Sequence, residues 1–233
     1  MLKIGTQNES TRDRWVIDSL KKISKGKSIL DAGAGESKYK KYCKHLKYIS
    51  QDFAKYDGKG DGKGLQTKKW SVNKIDIISD ITKIPIPSKS VDVVLCTEVF
   101  EHIINPINAI IEFKRVLKKN GELIITAPFC SLTHFAPYHY STGFNRYFYE
   151  RVLDKIGFEI IELSHNGNYF EYIAQEIRRV PSVSSRYASD RILTYSAKVL
   201  SLPYLILLQF LSNKDTNSYE LLCFGYHLRA KKL

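Results

Sequence analysis

The chain has few cysteines and no two of them at close spacing. Its four cysteines are widely separated among 233 residues, and no C-x-x-C motif occurs. Zinc sites and disulfide frameworks depend on closely and regularly spaced cysteines. The sequence therefore predicts neither a metal site nor a disulfide framework, and the cysteines fit reduced thiols in the cytosol. They are Cys43, Cys96, Cys130 and Cys223.

Long apolar runs are also missing. The first fifteen residues, MLKIGTQNESTRDRW, lack the apolar core of a signal peptide. The uncharged, leucine-rich stretch 199–213 contains Pro203 and is shorter than the roughly 20 residues that cross a bilayer. We therefore expect no spanning helix and a cytoplasmic location, with a buried helix or a helix in the membrane interface as alternatives for this stretch.

Acidic residues are scarce relative to basic ones. The chain has 36 Lys and Arg against 24 Asp and Glu, which gives a formal net charge of +12. A positive field attracts anions such as nucleic acid, a membrane surface or a phosphorylated substrate. However, the lysines are scattered, and a composition rich in Lys and Ile is also typical of an AT-rich genome. Charge alone does not identify a partner.

Apolar segments of the chain alternate between strand and helix patterns. The patterns predict strands at 28–30, 47–50, 74–81, 91–98, 122–128, 158–163 and 219–228, and helices at 11–24, 37–46, 106–117 and 149–157. Such alternation predicts an α/β fold, namely a Rossmann-like, seven-stranded, mostly parallel sheet with helices on both faces.

The length of the chain fits one domain with a substantial core. We expect a single domain over 1–233, with a core of about 11–163 plus 218–230 and a helical insertion of about 164–217 before the last strand.

The predicted insertion holds a helix at 169–180, which Pro181 and a serine-rich linker should end. An apolar segment follows at 192–211, interrupted at Pro203. A lid over an acceptor pocket, a dimer surface and an in-plane membrane contact are all open as its role. The arginines that would help a membrane contact are Arg178, Arg179, Arg186 and Arg191.

A loop with two glycines follows the first predicted strand. It reads Gly33-Ala34-Gly35-Glu36-Ser37-Lys38, so the third glycine of the dinucleotide fingerprint is absent. Glu36 would repel a phosphate at this point, and Asp31 adds a second negative charge. The loop therefore disfavours NAD and a dehydrogenase, and it favours a ligand with a positive end.

S-adenosylmethionine is such a ligand, because it carries an ammonium and a sulfonium and has no phosphate. Asp52 ends the second predicted strand, where an acid would accept hydrogen bonds from ribose hydroxyls, and Asp80 ends the third, beside the adenine. Each acid also has a local alternative: Asp31 or Asp80 as a cap, and Asp52 at the start of a turn.

In these motifs the chain resembles the class I S-adenosylmethionine-dependent methyltransferases, methyltransferase-11-like, over about residues 26–163. "SILDAGAGESKYKKY", "EVFEHI" and "KKNGELIITAP" carry the resemblance. It implies that Asp31, Gly33 and Gly35 hold the methionine end, Asp52 the ribose, and Asp80 with Ile81 the adenine. Ser37 replaces a frequent third glycine, which leaves the loop path open. The implied cofactor set also contains Ala34, Phe53, Thr97, Glu98, Val99 and His102.

A long loop rich in aromatic and basic residues, 130–152, follows the fifth predicted strand. Long loops inside compact domains are usually functional. A methyl acceptor that is a hydroxyl or a charged amine needs a base, and neutral imidazole is suitable, so the candidate catalytic residues are His134, His139 and Tyr138. Alternatively, these rings only cover the sheet edge. Candidate acceptor-binding residues are Tyr140, Asn145 and Arg146.

Through "APFCSLTHFAPYHY" and "NGNYFEYIAQEIRRVPS" the chain is similar to small bacterial members associated with surface-polysaccharide biosynthesis. That similarity implies a small-molecule acceptor, a sugar, sugar nucleotide or other glycan precursor, anionic or glycan-linked. A nucleic-acid methyltransferase is the alternative, but the Asn/Asp-Pro-Pro-aromatic signature is missing from "CTEVFEH". A non-catalytic cofactor-binding protein is a third reading. We expect a monomer or homodimer, and contact through 192–211 would place it at the inner membrane face.

Overall fold

Seven strands form one sheet in the computed structural model, which describes residues 2–72, 74–188 and 191–233. Their order is β3-β2-β1-β4-β5-β7-β6. The neighbouring strands from β3 to β5 pair in parallel, and β7 is antiparallel to β5. The predicted α/β, mostly parallel sheet is confirmed. The strands are β1 Ser28–Ala32, β2 Lys47–Asp52, β3 Ile77–Ile78, β4 Val91–Thr97, β5 Leu117–Pro128, β6 Phe158–Asn166 and β7 Gly225–Lys232.

Five α-helices accompany the sheet among the described residues. Apolar side chains at helical spacing on the first helix, Val16 and Leu20, are fully buried against Ile29 of β1 and Val93 of β4. This packing explains why a short, lysine-flanked segment is helical. The helices are α1 Asn8–Lys21, α2 Pro106–Val116, α3 Arg146–Ile156, α4 Tyr169–Tyr187 and α5 Arg191–Asn213.

The helix predicted at 37–46 is wrong. Only a short 3-10 turn, Lys40–Tyr42, forms there. Ser37 has a left-handed backbone, φ +56°, and its N–H donates to the carbonyl of Ala34 at 2.7 Å, which closes a turn where the helix should begin. Tyr39 is instead buried in the core cluster that contains α1.

Several strand limits differ from the sequence expectation. β3 has two residues, because only Ile77 and Ile78 find partners on β2. The helix predicted to reach Leu117 ends one residue earlier, since Leu117 pairs with Val91 and begins β5. β7 begins at Gly225, the partner of Pro128 at the end of β5, so the antiparallel ladder sets its start.

The insertion contains two long helices that run through their prolines, contrary to prediction. α4 continues past Pro181 and α5 past Pro203. α4 and α5 pack together in the core cluster formed by Ile4, Ala174, Leu205 and Leu208, and such tertiary packing outweighs the local cost of proline. Ser189 and Asp190 of the predicted linker lie outside the described residues.

The described residues divide into two compact units. One comprises the chain up to Asp13 with His165–Phe224, and the other comprises Arg14–Ser164 with Gly225–Leu233. In the first, Arg178 of α4 donates to the carbonyls of Leu2 and Ile4 at 2.8 Å. The second contains the sheet edge that carries the predicted site. The predicted single-domain organisation stays a prediction.

α5 presents an apolar surface. The segment Ile192–Asn213 has a mean hydropathy of 1.3 and is long and apolar enough to cross a membrane. Only 11% of it is buried, so most of the helix is exposed. The helix is longer than the 199–213 stretch recognised in the sequence. Length and composition alone do not distinguish a spanning helix from one that lies against another surface. Its most exposed apolar side chains are Ile192, Tyr195, Leu200, Tyr204 and Phe210.

Candidate active site

The predicted cofactor residues lie at the carboxyl edge of the parallel strands. β1, β2, β4 and β5 all end there, since Asp31 is in register with Ser50 and Leu95, and Thr97 with Thr126. Ligands of open α/β sheets bind at this edge, beside the first strand. The order of strands thus brings residues that are up to 100 positions apart to one edge.

The glycine loop after β1 leaves no room for side chains. Gly33 and Gly35 have φ of +75° and +50°. A Cβ added at Gly33 would lie 2.5 Å from Cγ2 of Val99, and one at Gly35 would lie 2.5 Å from Cζ2 of Trp70. Both glycines are therefore required by backbone conformation and by close approach.

Asp52 holds the glycine loop through both of its oxygens. The carboxylate is buried, Oδ2 accepts from the N–H of Gly35 at 2.9 Å, and Oδ1 accepts from the N–H of Ala54 at 2.8 Å. Each carboxylate oxygen can accept more than one hydrogen bond. Asp52 can therefore shape the loop and still accept a bond from a ribose hydroxyl.

Asp31 is buried inside the same edge. Its Oδ2 accepts from the hydroxyl of Tyr48 at 2.5 Å. Burial raises the pKa of Asp31 to about 7, although the Tyr48 bond lowers it, and the nearby charge of Asp52 raises it further. The acid therefore changes its charge near neutral pH, which the sequence did not indicate.

Asp80 has a local partner. This exposed side chain accepts from the N–H and the hydroxyl of Thr82 at 2.7 Å, so it closes a turn, as the sequence alternative allowed. Its neighbour Ile81 is buried. The contact of Asp80 and Ile81 with adenine stays a prediction. Phe53 lies edge-on to Tyr138, with ring centroids 5.0 Å apart.

The turn after β4 contacts the glycine loop. Glu98 has a left-handed backbone, φ +54°; its N–H donates to the carbonyl of Thr126 at 2.8 Å, and its Oε1 accepts from the hydroxyl of Thr126 at 3.0 Å. This turn directs Val99 against Gly33. The structure thus brings Val99 beside the loop, and the contact of Thr97, Glu98 and Val99 with a cofactor stays a prediction.

Three histidines, His102, His134 and His139, form a group that we call the histidine cluster. Ring centroids are 4.6 Å apart for His102 and His134, 4.9 Å for His134 and His139, and 5.9 Å for His102 and His139. Phe135 stacks on His102 at 5.1 Å. The structure therefore unites the two candidate bases with a histidine that we had assigned to the cofactor side.

Hydrogen bonds define the tautomers of two of these rings. Nδ1 of His102 lies 2.6 Å from the carbonyl oxygen of Tyr138, and Nδ1 of His134 lies 2.8 Å from that of Leu132. A carbonyl only accepts, so each Nδ1 carries a proton, and in the neutral ring Nε2 holds a lone pair.

Two rings of the cluster, His102 and His139, are unfavourable for positive charge. Burial lowers the pKa of His102 to about 3, with a further contribution from His134. Burial and His134 also lower the pKa of His139, whose Nε2 lies 3.1 Å from the hydroxyl of Ser131. These two rings are neutral at pH 7.

The predicted acceptor-binding residues have different surroundings. Tyr140 is about half exposed, and its N–H donates to the carbonyl of Glu101 at 2.8 Å. Asn145 caps α3 by accepting from the N–H of Phe148, and Arg146 pairs with Glu150 at 2.8 Å. These contacts give Asn145 and Arg146 a role in stabilising α3. Their role in binding an acceptor stays a prediction.

The sequence did not indicate Glu101 as a site residue, nor the aromatic wall formed by Phe135, Tyr56 and Trp70. Glu101 is 1% exposed, and its Oε1 faces the histidine cluster. Phe135 stacks on Tyr56 at 4.3 Å and lies edge-on to Trp70 at 5.1 Å. Glu101 could have been found from its position in "EVFEHI", directly before His102. No local sequence pattern indicates the aromatic wall, because its residues come from distant parts of the chain.

Comparison with protein families assigns residues 30–125 to the methyltransferase domain. No curated protein matches the chain. Among solved structures it is similar to the [4+2]-cyclase SpnF, with 14% identity over 98% of this chain and 83% of that chain and a TM-score of 0.58.

Two further similar structures are those of methyltransferases. One is an S-adenosylmethionine-dependent methyltransferase of Archaeoglobus fulgidus, with 15% identity, coverage of 95% of this chain and 92% of that chain, and a TM-score of 0.56. The other is phosphoethanolamine N-methyltransferase 2 of Haemonchus contortus in complex with S-adenosylmethionine. There the identity is 17%, the coverage 95% of this chain and 52% of that chain, and the TM-score 0.54. At such identities the likeness shows the fold.

The site has the features that S-adenosylmethionine requires. Two glycines with left-handed backbones allow close approach, and two buried acids, Asp31 and Asp52, suit a ligand with a positive end and hydroxyls. Glu36, which accepts from the N–H of Ser71 at 3.2 Å, puts a carboxylate where a dinucleotide would need phosphate-binding groups. With a methyltransferase domain at residues 30–125 and this fold around it, the protein is an S-adenosylmethionine-dependent methyltransferase.

Proposed function

We propose that the protein transfers the methyl group of S-adenosylmethionine to a small-molecule acceptor, namely a sugar, sugar nucleotide or other surface-glycan precursor. The histidine cluster carries the proposal, because it places imidazole lone pairs among polar-tipped rings on the loop after β5. Acceptors with hydroxyls suit such a surface, since an imidazole can take the hydroxyl proton and tyrosines can orient a sugar ring.

On the cofactor side the proposal assigns each part of the ligand to neighbouring residues. Asp31, Gly33 and Gly35 take the methionine end, and Asp52 takes the ribose. Bound there, S-adenosylmethionine supplies an activated methyl on a sulfonium. The proposed set is completed by Ala34, Phe53, Asp80, Ile81, Thr97, Glu98, Val99 and His102.

On the acceptor side His134 and His139 are the candidate bases, and Tyr138 and Tyr140 orient the acceptor. Methyl transfer is an in-line displacement, so holding the acceptor oxygen against the methyl carbon supplies most of the rate. Asn145 and Arg146 would hold an anionic group such as a phosphate or carboxylate.

Methyl incorporation from labelled S-adenosylmethionine is the direct test. The purified protein is incubated with sugars, sugar nucleotides, RNA and DNA, and labelled products are separated. We expect label in a sugar-containing product and none when Asp52 is changed to Asn. That variant keeps the side-chain shape but loses the negative charge that strengthens the hydrogen bonds from the ribose hydroxyls. Label in RNA alone would refute the acceptor class.

The net charge of +12 supports RNA as the alternative acceptor. Binding through phosphates weakens steeply with salt, in proportion to the number of phosphates neutralised. RNA affinity that is weak and that vanishes at physiological salt would remove this alternative. The third alternative is a non-catalytic protein that only binds the cofactor. Catalytic methyl turnover by the protein would remove this alternative.

We also propose that α5 makes a peripheral contact with the inner face of the membrane. Leu200 and Phe210 are 66% and 64% exposed, although both are large and apolar. Lys198 and Lys214 lie within and directly after the helix and would contact anionic headgroups. Glycan precursors are often built on lipid carriers, so such a contact fits the proposed acceptor class.

Sedimentation with vesicles tests this contact. We expect the protein to pellet with phosphatidylglycerol-containing vesicles, and Leu200→Glu with Phe210→Glu to stay in the supernatant. Leu221→Glu is the matched control, because Leu221 is 75% exposed but lies outside α5. If the double variant instead changes a dimer into a monomer in ultracentrifugation and vesicles do not bind, α5 is a contact between two copies of the chain.

A further inference from the structure

We propose that Glu101, His102 and His134 bind a divalent first-row transition-metal ion beside the proposed acceptor position. The three side chains come from two segments of the chain, the turn after β4 and the loop after β5. The wide spacing of the cysteines predicts no metal site. The ligands proposed here are imidazole and carboxylate.

The ligand atoms converge on one point. Nε2 of His102 lies 3.8 Å from Oε1 of Glu101, and Nε2 of His134 lies 3.7 Å from the same oxygen. One ligand atom from each of the three residues lies within 4.8 Å of the others. Ligands about 2.1 Å from a tetrahedral zinc ion are separated by about 3.4 Å. The two distances to Glu101 exceed that separation by a few tenths of an ångström, so a small movement of the loop that carries His134 would complete the coordination.

Both imidazoles present Nε2 to the carboxylate. Each Nδ1–H donates to a backbone carbonyl, so Nε2 is the atom that each ring can offer to a metal ion. Glu101 is 1% exposed, and a buried carboxylate is stabilised by a positive charge beside it. A metal ion bound to Oε1 and the two Nε2 atoms would supply that charge in place of a proton on His134.

The surrounding backbone holds the ligands in position. The carbonyls of Tyr138 and Leu132 orient the two rings, which is the usual outer-shell arrangement of metal-binding histidines. The N–H groups of Tyr140 and Ser141 donate to the carbonyl of Glu101 and tie the loop to the turn. The ligands are therefore preorganised before an ion binds.

The donor set selects the class of ion. Two imidazoles and one carboxylate suit zinc, iron, manganese or cobalt, whereas magnesium and calcium prefer oxygen ligands alone. Three protein ligands leave positions for water or for an acceptor oxygen. On this proposal the lone pair of His134 is used by the ion, and His139 remains as the candidate base.

Calorimetric titration of the chelator-treated full chain with ZnCl₂ and MnCl₂ tests the site, with MgCl₂ as the contrasting ion. We expect one ion per chain and an affinity for zinc or manganese well above that for magnesium. Glu101→Gln and His134→Gln should each weaken binding at least about tenfold, because each removes a ligand. Cobalt should give an absorption spectrum that these two changes abolish.

Two variants serve as matched controls. His45 also bonds to a backbone carbonyl, that of Ile23, but lies outside the cluster, so His45→Gln should bind the ion as the unchanged protein does. His139 belongs to the histidine cluster but is not a proposed ligand, so His139→Gln should still bind the metal ion.

Absence of zinc and manganese binding, or unchanged affinity in Glu101→Gln, would overturn the proposal. If circular dichroism shows that Glu101→Gln does not fold, His134→Gln decides, because its side chain is 23% exposed on a loop. The titration uses neither S-adenosylmethionine nor an acceptor. Failure here leaves the proposed methyl transfer intact, and failure to find an acceptor leaves the metal site intact.

Discussion

The charge of Asp31 should make cofactor binding depend on pH in the neutral range. Burial raises the pKa of this acid to about 7, with the Tyr48 hydrogen bond opposing and the charge of Asp52 adding to the rise. A ligand with an ammonium at this point binds the ionised carboxylate. The free protein must therefore lose a proton before or during binding, and affinity rises with pH until Asp31 is ionised.

The size of the effect follows from the pKa. With a pKa of about 7, roughly a tenth of Asp31 is ionised at pH 6 and roughly three quarters at pH 7.5. The affinity for S-adenosylhomocysteine should then fall about eightfold from pH 7.5 to pH 6. Calorimetry in buffers with different ionisation enthalpies should also detect release of up to about one proton per ligand bound.

Asp31→Asn is the control for this titration, because asparagine has the same shape and can still accept from the Tyr48 hydroxyl. The variant should bind S-adenosylhomocysteine more weakly and with no pH dependence between 6 and 7.5. An unchanged pH profile in Asp31→Asn would show that another group titrates and would refute the reasoning. Flat affinity in the unchanged protein would show that the ammonium lies elsewhere.

The same group should affect stability in the opposite direction. The folded pKa lies above the unfolded value of 3.8, so the contribution of Asp31 to stability is greatest below pH 3.8 and is lost as pH rises through about 7. A shift from 3.8 to about 7 corresponds to about 4 kcal/mol. Urea unfolding should therefore show Asp31→Asn more stable by up to about 4 kcal/mol at pH 8, with no gain near pH 3.5. A loss of stability at pH 8 would contradict the burial argument.

Two further predictions concern the histidine cluster and the glycine loop. His134→Ala and His139→Ala should each lower turnover while calorimetry shows S-adenosylhomocysteine still bound; full activity in both would remove the histidine base. Gly35→Ala should weaken S-adenosylhomocysteine binding about tenfold or more, since the backbone is left-handed and the new methyl would lie 2.5 Å from Trp70. Gly26→Ala is the matched control, with φ +86° and nothing within 4 Å of an added Cβ, and should bind normally.

Strands of this fold could be predicted because burial on both faces leaves a direct trace in sequence. "VDVVLCT" and "LIITAP" are nearly continuous in apolar residues, and both are central strands. The 3-10 turn in place of a helix after the glycine loop could not be foreseen. It depends on the left-handed Ser37 and on Tyr39 entering the core, and both are tertiary effects that local propensity does not contain.

The cofactor side of the site was more predictable than the acceptor side. Asp31 and Asp52 lie at the ends of β1 and β2, and Gly33 directly follows β1, so their meeting at one edge depends only on the sheet being parallel. The position of Asp80, the acid predicted beside the adenine, was harder to predict, because β3 ends two residues before it. The raised pKa of Asp31 needs burial and the position of Tyr48, and neither is visible in the sequence.

The acceptor side depends on contacts between the turn after β4 and the loop after β5. Glu101 and His134 are 33 positions apart in number, and they meet because Tyr140 donates to the carbonyl of Glu101 and Tyr138 accepts from His102. The same turn places Val99 against the glycine loop. One turn of the chain therefore fixes the distance between the cofactor side and the histidine cluster. Because methyl transfer requires that distance to be exact within about half an ångström, the "EVFEH" turn must hold both sides at once.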